Sequence, residues 1–336
     1  MHIIEIEELI LSLGTPQVLD VRSEGEFQQG HIPGAVNIPL LNNENRRLVG
    51  ICYKEKGNES AVLLGYELVG GQFSLLIRNI RHQFPNKKVT LHCWRGGLRS
   101  RIVAQLLDNA GFEVSILKGG YKSYRHWVLD KIDQPLDIKI IGGLTGSGKT
   151  ELLHQLQREG EQIIDLEGLA HHKGSTFGGI NQKPQPTQEQ FENELARVIQ
   201  GLNLAQRVWV EDESRRIGNN CLSEALWNQM REAEFCEIIL PDNIRLKRII
   251  NEYGNLPKDL LMERTSSLKK RLGDKHLKEI LQYLSEGNIT AWAAALLQYY
   301  DKNYRFGQSK REIKSKKKIE MDEEWSGKQF LKYVNP

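Results

Sequence analysis

Cysteine is scarce in this chain of 336 residues: four, at positions 52, 93, 221 and 236, with no C-x-x-C pair. No spacing here suggests a zinc site or a dithiol switch, so each cysteine needs its own explanation. Also missing is an uninterrupted apolar run near the roughly 18 residues of a membrane span. The opening MHIIEIEELI carries acidic residues where a secretory leader would be basic. The expectation is a cytoplasmic protein with no membrane partner. Disorder throughout is excluded by 39% hydrophobic residues against 26% charged, distributed from end to end. A strong charge of either sign is absent too. The net charge is +3, and residues 301–336 hold ten Lys/Arg against six Asp/Glu, so the excess belongs to the tail.

What is present reads as α/β throughout, with two domains at this length. A helical pattern (IEIEELILSL) precedes a strand over 17–21, a second short strand covers 36–40, and 42–82 reads as mostly helical. A strand over 88–92 leads into a glycine-bearing turn and the helix RSRIVAQLLDNAG, then the strand FEVSIL. This alternation predicts a parallel sheet covered by helices. The polar stretch DKIDQPLD marks a boundary, giving residues 1–130 as one domain and 131–137 as linker. A second α/β domain over 138–255 and a helical, basic extension over 256–336 follow, with helices predicted to the end.

Two segments carry chemistry. The first is Cys93-Trp94-Arg95-Gly96-Gly97-Leu98-Arg99-Ser100, between a strand and a helix. Backbone N–H groups and a helix N-terminus then surround one sulfur, and Arg95 and Arg99 add a fork for an oxyanion. A nucleophilic thiolate at Cys93 is the functional reading, whereas Cys52, Cys221 and Cys236 read as packing residues. The second is Gly143-Leu144-Thr145-Gly146-Ser147-Gly148-Lys149-Thr150, a G-x-x-x-x-G-K-T loop between an apolar strand and a helix. Its amides surround a diphosphate, Lys149 neutralises it, and the Thr150 hydroxyl can ligate Mg²⁺.

The strand end VWVEDES offers Glu211, Asp212 and Glu213 to a metal or water, with Arg215 just beyond. Asp165, Glu167 and Lys173 fall in and before a long polar loop suited to a lid or substrate contact. Arg245 and Arg248 follow the next strand, as in the arginine-bearing helix of small-molecule kinases. The run SKREIKSKKK holds six basic residues and one glutamate, enough to contact nucleic-acid phosphates or simply to solvate a face. Trp292, Tyr299, Tyr300, Tyr304 and Phe306 fall at helical spacing and read as core, with one or two free to stack on bases.

The segment LDVRSEGEFQQGHIPGAVNIP, taken with the cysteine loop, resembles the rhodanese domain. His92-Cys93 followed by five residues and Arg99 is also the spacing of cysteine-dependent phosphatases. A rhodanese loop is usually one residue shorter, so this one accepts a larger, tetrahedral oxyanion. Together with GLTGSGKTELL, DLEGLAHHKGS, QPTQEQFEN and VWVEDESRRIG, the order of motifs resembles the tRNA 2-selenouridine synthase family from LDVRS to about residue 255.

That resemblance implies a rhodanese-like parallel-sheet domain, a P-loop NTPase-like α/β domain and no permanent cofactor. It also implies a tRNA anticodon stem-loop bearing 2-thiouridine, with geranyl diphosphate and selenophosphate as co-substrates. A geranyl group first goes to the thiouridine sulfur, and selenium from selenophosphate then replaces it. Cys93 becomes the active cysteine, through a perselenide or by orienting the donor, and the selenophosphate-producing enzyme a partner. Lys173 stands where the family usually has arginine and Leu98 where methionine is common. The alternatives are a P-loop small-molecule kinase fused to a sulfurtransferase, a cysteine phosphatase, and a non-catalytic RNA-binding scaffold.

Overall fold

The computed structural model describes residues 1–12, 18–309, 315–321 and 325–334. Gln17 of the strand predicted over 17–21 and residues 310–314 of the basic run lie outside them. The chain divides into two units, residues 1–132 with 187–197, and residues 133–186 with 198–336.

In the first unit five strands form one parallel sheet: β1 (His2–Ile4), β2 (Val18–Asp20), β3 (Val36–Asn37), β4 (Lys88–His92) and β5 (Glu113–Leu117), in the order β1-β5-β4-β2-β3. The helices are α1 (Ile6–Ser12), α2 (Glu24–Gln29), α3 (Asn43–Val69), α4 (Phe73–Gln83), α5 (Leu98–Asn109) and α6 (Gly120–Ile132). Burial on both faces explains the near-continuous apolar strands, and Val103, Ala104 and Leu107 place the buried stripe of α5 on that sheet. The helical pattern IEIEELILSL forms α1 from Ile6 to Ser12, but its first residue, Ile4, belongs to β1, where His2, Ile3 and Ile4 pair in register with Ser115, Ile116 and Leu117. Residues 43–83 are the one described stretch long and apolar enough to cross a membrane by length and composition. They are broken at Gly57, whose φ is 84°, and Val69 and Ile80 pack into the sheet's core.

The second unit repeats the logic. Its strands are β6 (Ile138–Gly143), β7 (Gln162–Ile164), β8 (Val208–Glu211), a small antiparallel hairpin of β9 (Arg216–Ile217) and β10 (Asn220–Cys221), β11 (Glu234–Ile239) and β12 (Lys316–Glu320). The parallel sheet runs β12-β11-β6-β8-β7. Its helices continue as α7 (Lys149–Arg158), α8 (Leu166–Ala170), α9 (Gln188–Gln200, of which 188–197 belong to the first unit), α10 (Glu224–Glu232), α11 (Asp242–Tyr253), α12 (Lys258–Ser266), α13 (Lys269–Leu272), α14 (Asp274–Ser285), α15 (Ile289–Ser309) and α16 (Gly327–Val334).

The expectation of helices to the end is corrected here, since KKKIE forms β12, parallel to β11. Ile319 of that strand and Phe330 of α16 are fully buried in the core with Trp209. Two of the strand's three lysines are engaged: Lys316 Nζ lies 2.8 Å from Glu237 and Lys317 Nζ donates to the Tyr333 carbonyl at 2.8 Å.

Candidate functional site

Both candidate sites lie at carboxyl ends of strands, where open α/β sheets bind ligands. In the first unit the β2–β4 register sets Asp20 opposite His92, immediately before Cys93. Arg22 is fully buried, donating from Nη2 to Asp20 at 2.6 Å and to the Gly30 carbonyl at 2.7 Å, with its guanidinium 3.7 Å from the Tyr121 ring centroid. Burial raises the Asp20 pKa, but His92 and Arg22 outweigh it and hold the carboxyl below its usual range. Burial lowers the His92 pKa, with Asp20 opposing it. This buried cluster braces the cysteine loop. The motif around His31 is tied to α9 in the same unit: Asn193 donates to the His31 carbonyl at 2.9 Å and to the Tyr121 hydroxyl at 2.8 Å.

Cys93 itself is buried, and its carbonyl accepts from Tyr121 N at 2.9 Å. Gly120 lies against this loop at φ 61°. A Cβ there would sit 2.3 Å from Gly96 N and 2.4 Å from the Cys93 carbonyl, which only glycine avoids. Of the two arginines predicted to serve an oxyanion, Arg95 is exposed, whereas Arg99 spends its fork on Glu26 at 2.6 and 3.1 Å. Burial pushes the Glu26 pKa up, but the Arg99 hydrogen bond and charge, with Arg46, bring it to about 2.

In the second unit the loop after β6 carries Gly143, Gly146, Ser147 and Gly148 into α7, which begins at Lys149 and Thr150. Gly148 has φ 77°, a left-handed conformation that a side chain resists. Lys149 Nζ donates back to the Gly143 carbonyl at 3.0 Å. The Thr150 hydroxyl lies 3.0 Å from Glu211 Oε2 and 3.2 Å from Glu167 Oε2. Carboxylate oxygens of Glu167, Glu211 and Glu213 all fall within 4.8 Å of one another. Burial, then the Glu167 charge, pushes Glu211 up to about 8, and the same causes raise Glu213 well above its ordinary value. The Thr150 hydroxyl can donate its single proton to either carboxylate. The buried Glu211 Oε1 has no hydrogen-bond partner among the described residues.

Sequence reading missed the supports of this loop. Arg245, predicted as a kinase-like signal, is fully buried. It donates to the Thr145 carbonyl at 2.9 Å and pairs with Asp301 of α15 at 2.7 and 2.9 Å. Tyr304, grouped with core aromatics, accepts from Gly143 N at 2.9 Å and donates to Asp212 at 2.8 Å. A basic residue after a strand and a tyrosine on a late helix gave no local sign of these roles. Of the remaining expected residues, Asp165 caps α8 through Gly168 N at 2.7 Å and faces His154, and Lys173 pairs with Glu252. Arg215 is exposed, its Nε 3.4 Å from the Leu222 carbonyl beside the small hairpin.

A cavity of about 680 Å³ in the second unit joins Gly143, Lys149, Thr150 and the three glutamates, with Lys173 and Tyr304 at its lining. One part is the phosphate loop with Lys149, Thr150, Glu211 and Arg248; another is apolar, lined by Phe177, Tyr253, Trp292, Leu296, Leu297 and Tyr300. Phe177 stacks edge-on against Trp292, which fixes that wall.

Comparison with known proteins follows the same division. The profile of the tRNA 2-selenouridine synthase AAA domain matches residues 136–329, and that of the rhodanese-like domain residues 5–126. A tRNA 2-selenouridine synthase of Shewanella sediminis is 35% identical over 345 aligned positions, covering 91% of this chain and 90% of the relative. One of Nitrosomonas europaea is 40% identical over 255, covering 72% of this chain and 65% of the relative. Among solved structures, the N-terminal domain of a Clostridium difficile 630 protein described as ATP/GTP binding is 36% identical, with TM-score 0.36. It covers 38% of this chain and 98% of that one.

Proposed function

The chain belongs to the tRNA 2-selenouridine synthase family, and from that membership we propose that it exchanges sulfur for selenium at the wobble 2-thiouridine, position 34, of tRNAs for Lys, Glu and Gln. The first step is S-geranylation in the cavity of the second unit. The observation that carries this reading is the union there of a phosphate loop with an apolar aromatic wall. A ten-carbon isoprenoid diphosphate has those two halves. The chain also lacks the D-D-x-x-D pair of ordinary prenyl-diphosphate enzymes, leaving loop amides and Lys149 to take up the leaving charge.

The thiouridine sulfur attacks C1 of geranyl diphosphate, the S–C1 bond forms as C1–O breaks, and diphosphate leaves with the electron pair. Lys149 exchanges its Gly143 carbonyl for the diphosphate, and the amides at the start of α7 stabilise the charge as it develops. The Thr150 hydroxyl and the Glu167, Glu211 and Glu213 carboxylates fit Mg²⁺, a hard cation that takes oxygen ligands, and the unpartnered buried Glu211 Oε1 supports that fit. Bound there, the ion would add positive charge beside the diphosphate.

The second step belongs to the Cys93 loop, whose amides and cysteine hold selenophosphate. Its selenium attacks C2 of the alkylated base, the C2–Se bond forms, and the C2–S bond breaks to release geranylthiolate. Hydrolysis of Se–P then frees phosphate and leaves selenium on C2. Alkylation is what makes the sulfur able to leave.

A filter assay with radiolabelled geranyl diphosphate and thiolated tRNA tests the first site. Lys149→Ala is expected to lower geranyl transfer at least 100-fold, and undiminished transfer overturns the assignment. Nucleoside mass spectrometry tests the second. Cys93→Ser is expected to abolish 2-selenouridine while geranylated nucleoside accumulates, and joint loss of both products contradicts two separate sites. ATP-dependent phosphorylation of a small molecule without geranyl transfer would favour a kinase.

A further inference from the structure

A second cavity, of about 700 Å³, lies wholly within the first unit. Its floor and walls are Leu40, Leu41, Val49, Val62, Val69 and Ile102. It reaches the cysteine loop, because Leu98 and Arg99, the first residues of the helix that follows Cys93, also line it. Around it, large apolar side chains stand in water: Ile51 is 40% exposed, Leu98 50% and Tyr53 58%. Such a concentration on one face marks a binding surface. Arg46, Arg47 and Lys54 also line it. The pairs Arg46–Glu26 and Arg47–Glu44 leave both arginines more than half exposed, at 53% and 58%. The Arg47–Glu44 pair is exposed on both sides, and a pair of that kind is weak and can re-form with a phosphate.

An apolar floor, a basic rim and an end at the cysteine loop describe a seat for one amphiphile, an RNA nucleotide carrying a long alkyl chain. We propose that this groove holds the ten-carbon chain of the S-geranylated base while its C2 stands at the Cys93 loop. The inference rests on the two-step reading above and adds to it a chain-binding site separate from the phosphate-loop cavity. Unless the chain is held, it must extend into water at the moment selenium attacks, and the thiolate that leaves has no apolar path. The groove also discriminates, favouring geranylated over unmodified or short-alkyl base.

Two experiments on the full chain test this. An anticodon stem-loop RNA whose 2-thiouridine carries a diazirine-bearing geranyl analogue is irradiated on the protein and the adducts are mapped by mass spectrometry. Adducts are expected within 40–69 and 98–102; adducts confined to 173–304 overturn the proposal. Gly50 lines the groove, and a Cβ there meets nothing within 4 Å, so Gly50→Phe puts a ring at the groove with no clash at Cβ. The ratio of kcat/KM for selenation of S-geranyl over S-methyl RNA is expected to fall at least tenfold, mainly through KM, and an unchanged ratio overturns the proposal. If wild-type protein selenates neither RNA, the two-step reading itself has failed, and the cross-linking map still reports on the groove. Sedimentation of wild type with phosphatidylcholine vesicles, lost in Gly50→Asp, would assign the face to lipid and overturn the proposal as well.

Discussion

Glu26 shows how much a single side chain carries beside the cysteine loop. Its carboxylate is mostly buried, receives both Arg99 nitrogens, and titrates near 2 against an ordinary 4.5, although burial alone would raise it. A depressed carboxylate pKa stabilises the fold above about pH 4.5, and that contribution is lost as pH falls towards 2. The shift corresponds to about 3 kcal/mol. Urea unfolding between pH 6 and 2 is therefore expected to show a steep acid loss for the first unit, and Glu26→Gln is expected to lower stability at pH 6 and flatten the dependence. Tyr304 plays the matching part in the second unit. Tyr304→Phe leaves the Gly143 N–H without its partner, at a cost of about 1–3 kcal/mol. The KM for geranyl diphosphate is expected to rise several-fold, with the apolar cavity wall intact.

Among elements, the turn into α7 is the most constrained. Its backbone must be left-handed at Gly148, and Arg245 and Tyr304 hold the loop from two different helices. Gly148→Ala adds about 1–2 kcal/mol of backbone strain and puts a methyl 2.8 Å from the Arg248 guanidinium. Diphosphate affinity, measured by calorimetry, is expected to fall at least tenfold while the Cys93 loop is untouched. The cysteine turn is held differently: its carbonyls at 93 and 94 accept from the start of α6, and Gly120 allows the approach.

Taken whole, the second unit depends on its last residues. β12 completes the sheet beside β11, and Ile319, Met321, Phe330 and Val334 belong to the same core as Trp209 and Leu153. Ending the chain at residue 314 removes this strand and α16, exposing that core. Calorimetry is expected to show the loss or a large downward shift of the second unit's transition, with the first unit's melt retained.

Local pattern determined a good deal here. Strand, glycine loop and helix around Cys93 and around Lys149 are legible because turn chemistry and apolar periodicity act over a few residues, and the parallel α/β class follows from their alternation. What only tertiary structure decided is who partners whom. Arg99 faces Glu26, Glu167 joins Glu211 and Glu213, Arg245 and Tyr304 brace the phosphate loop, and a lysine-rich tail becomes a strand. Each of these joins residues far apart in the chain. Their pairing is set by sheet order and by the cost of burying a charge or an N–H alone, which no window of sequence records.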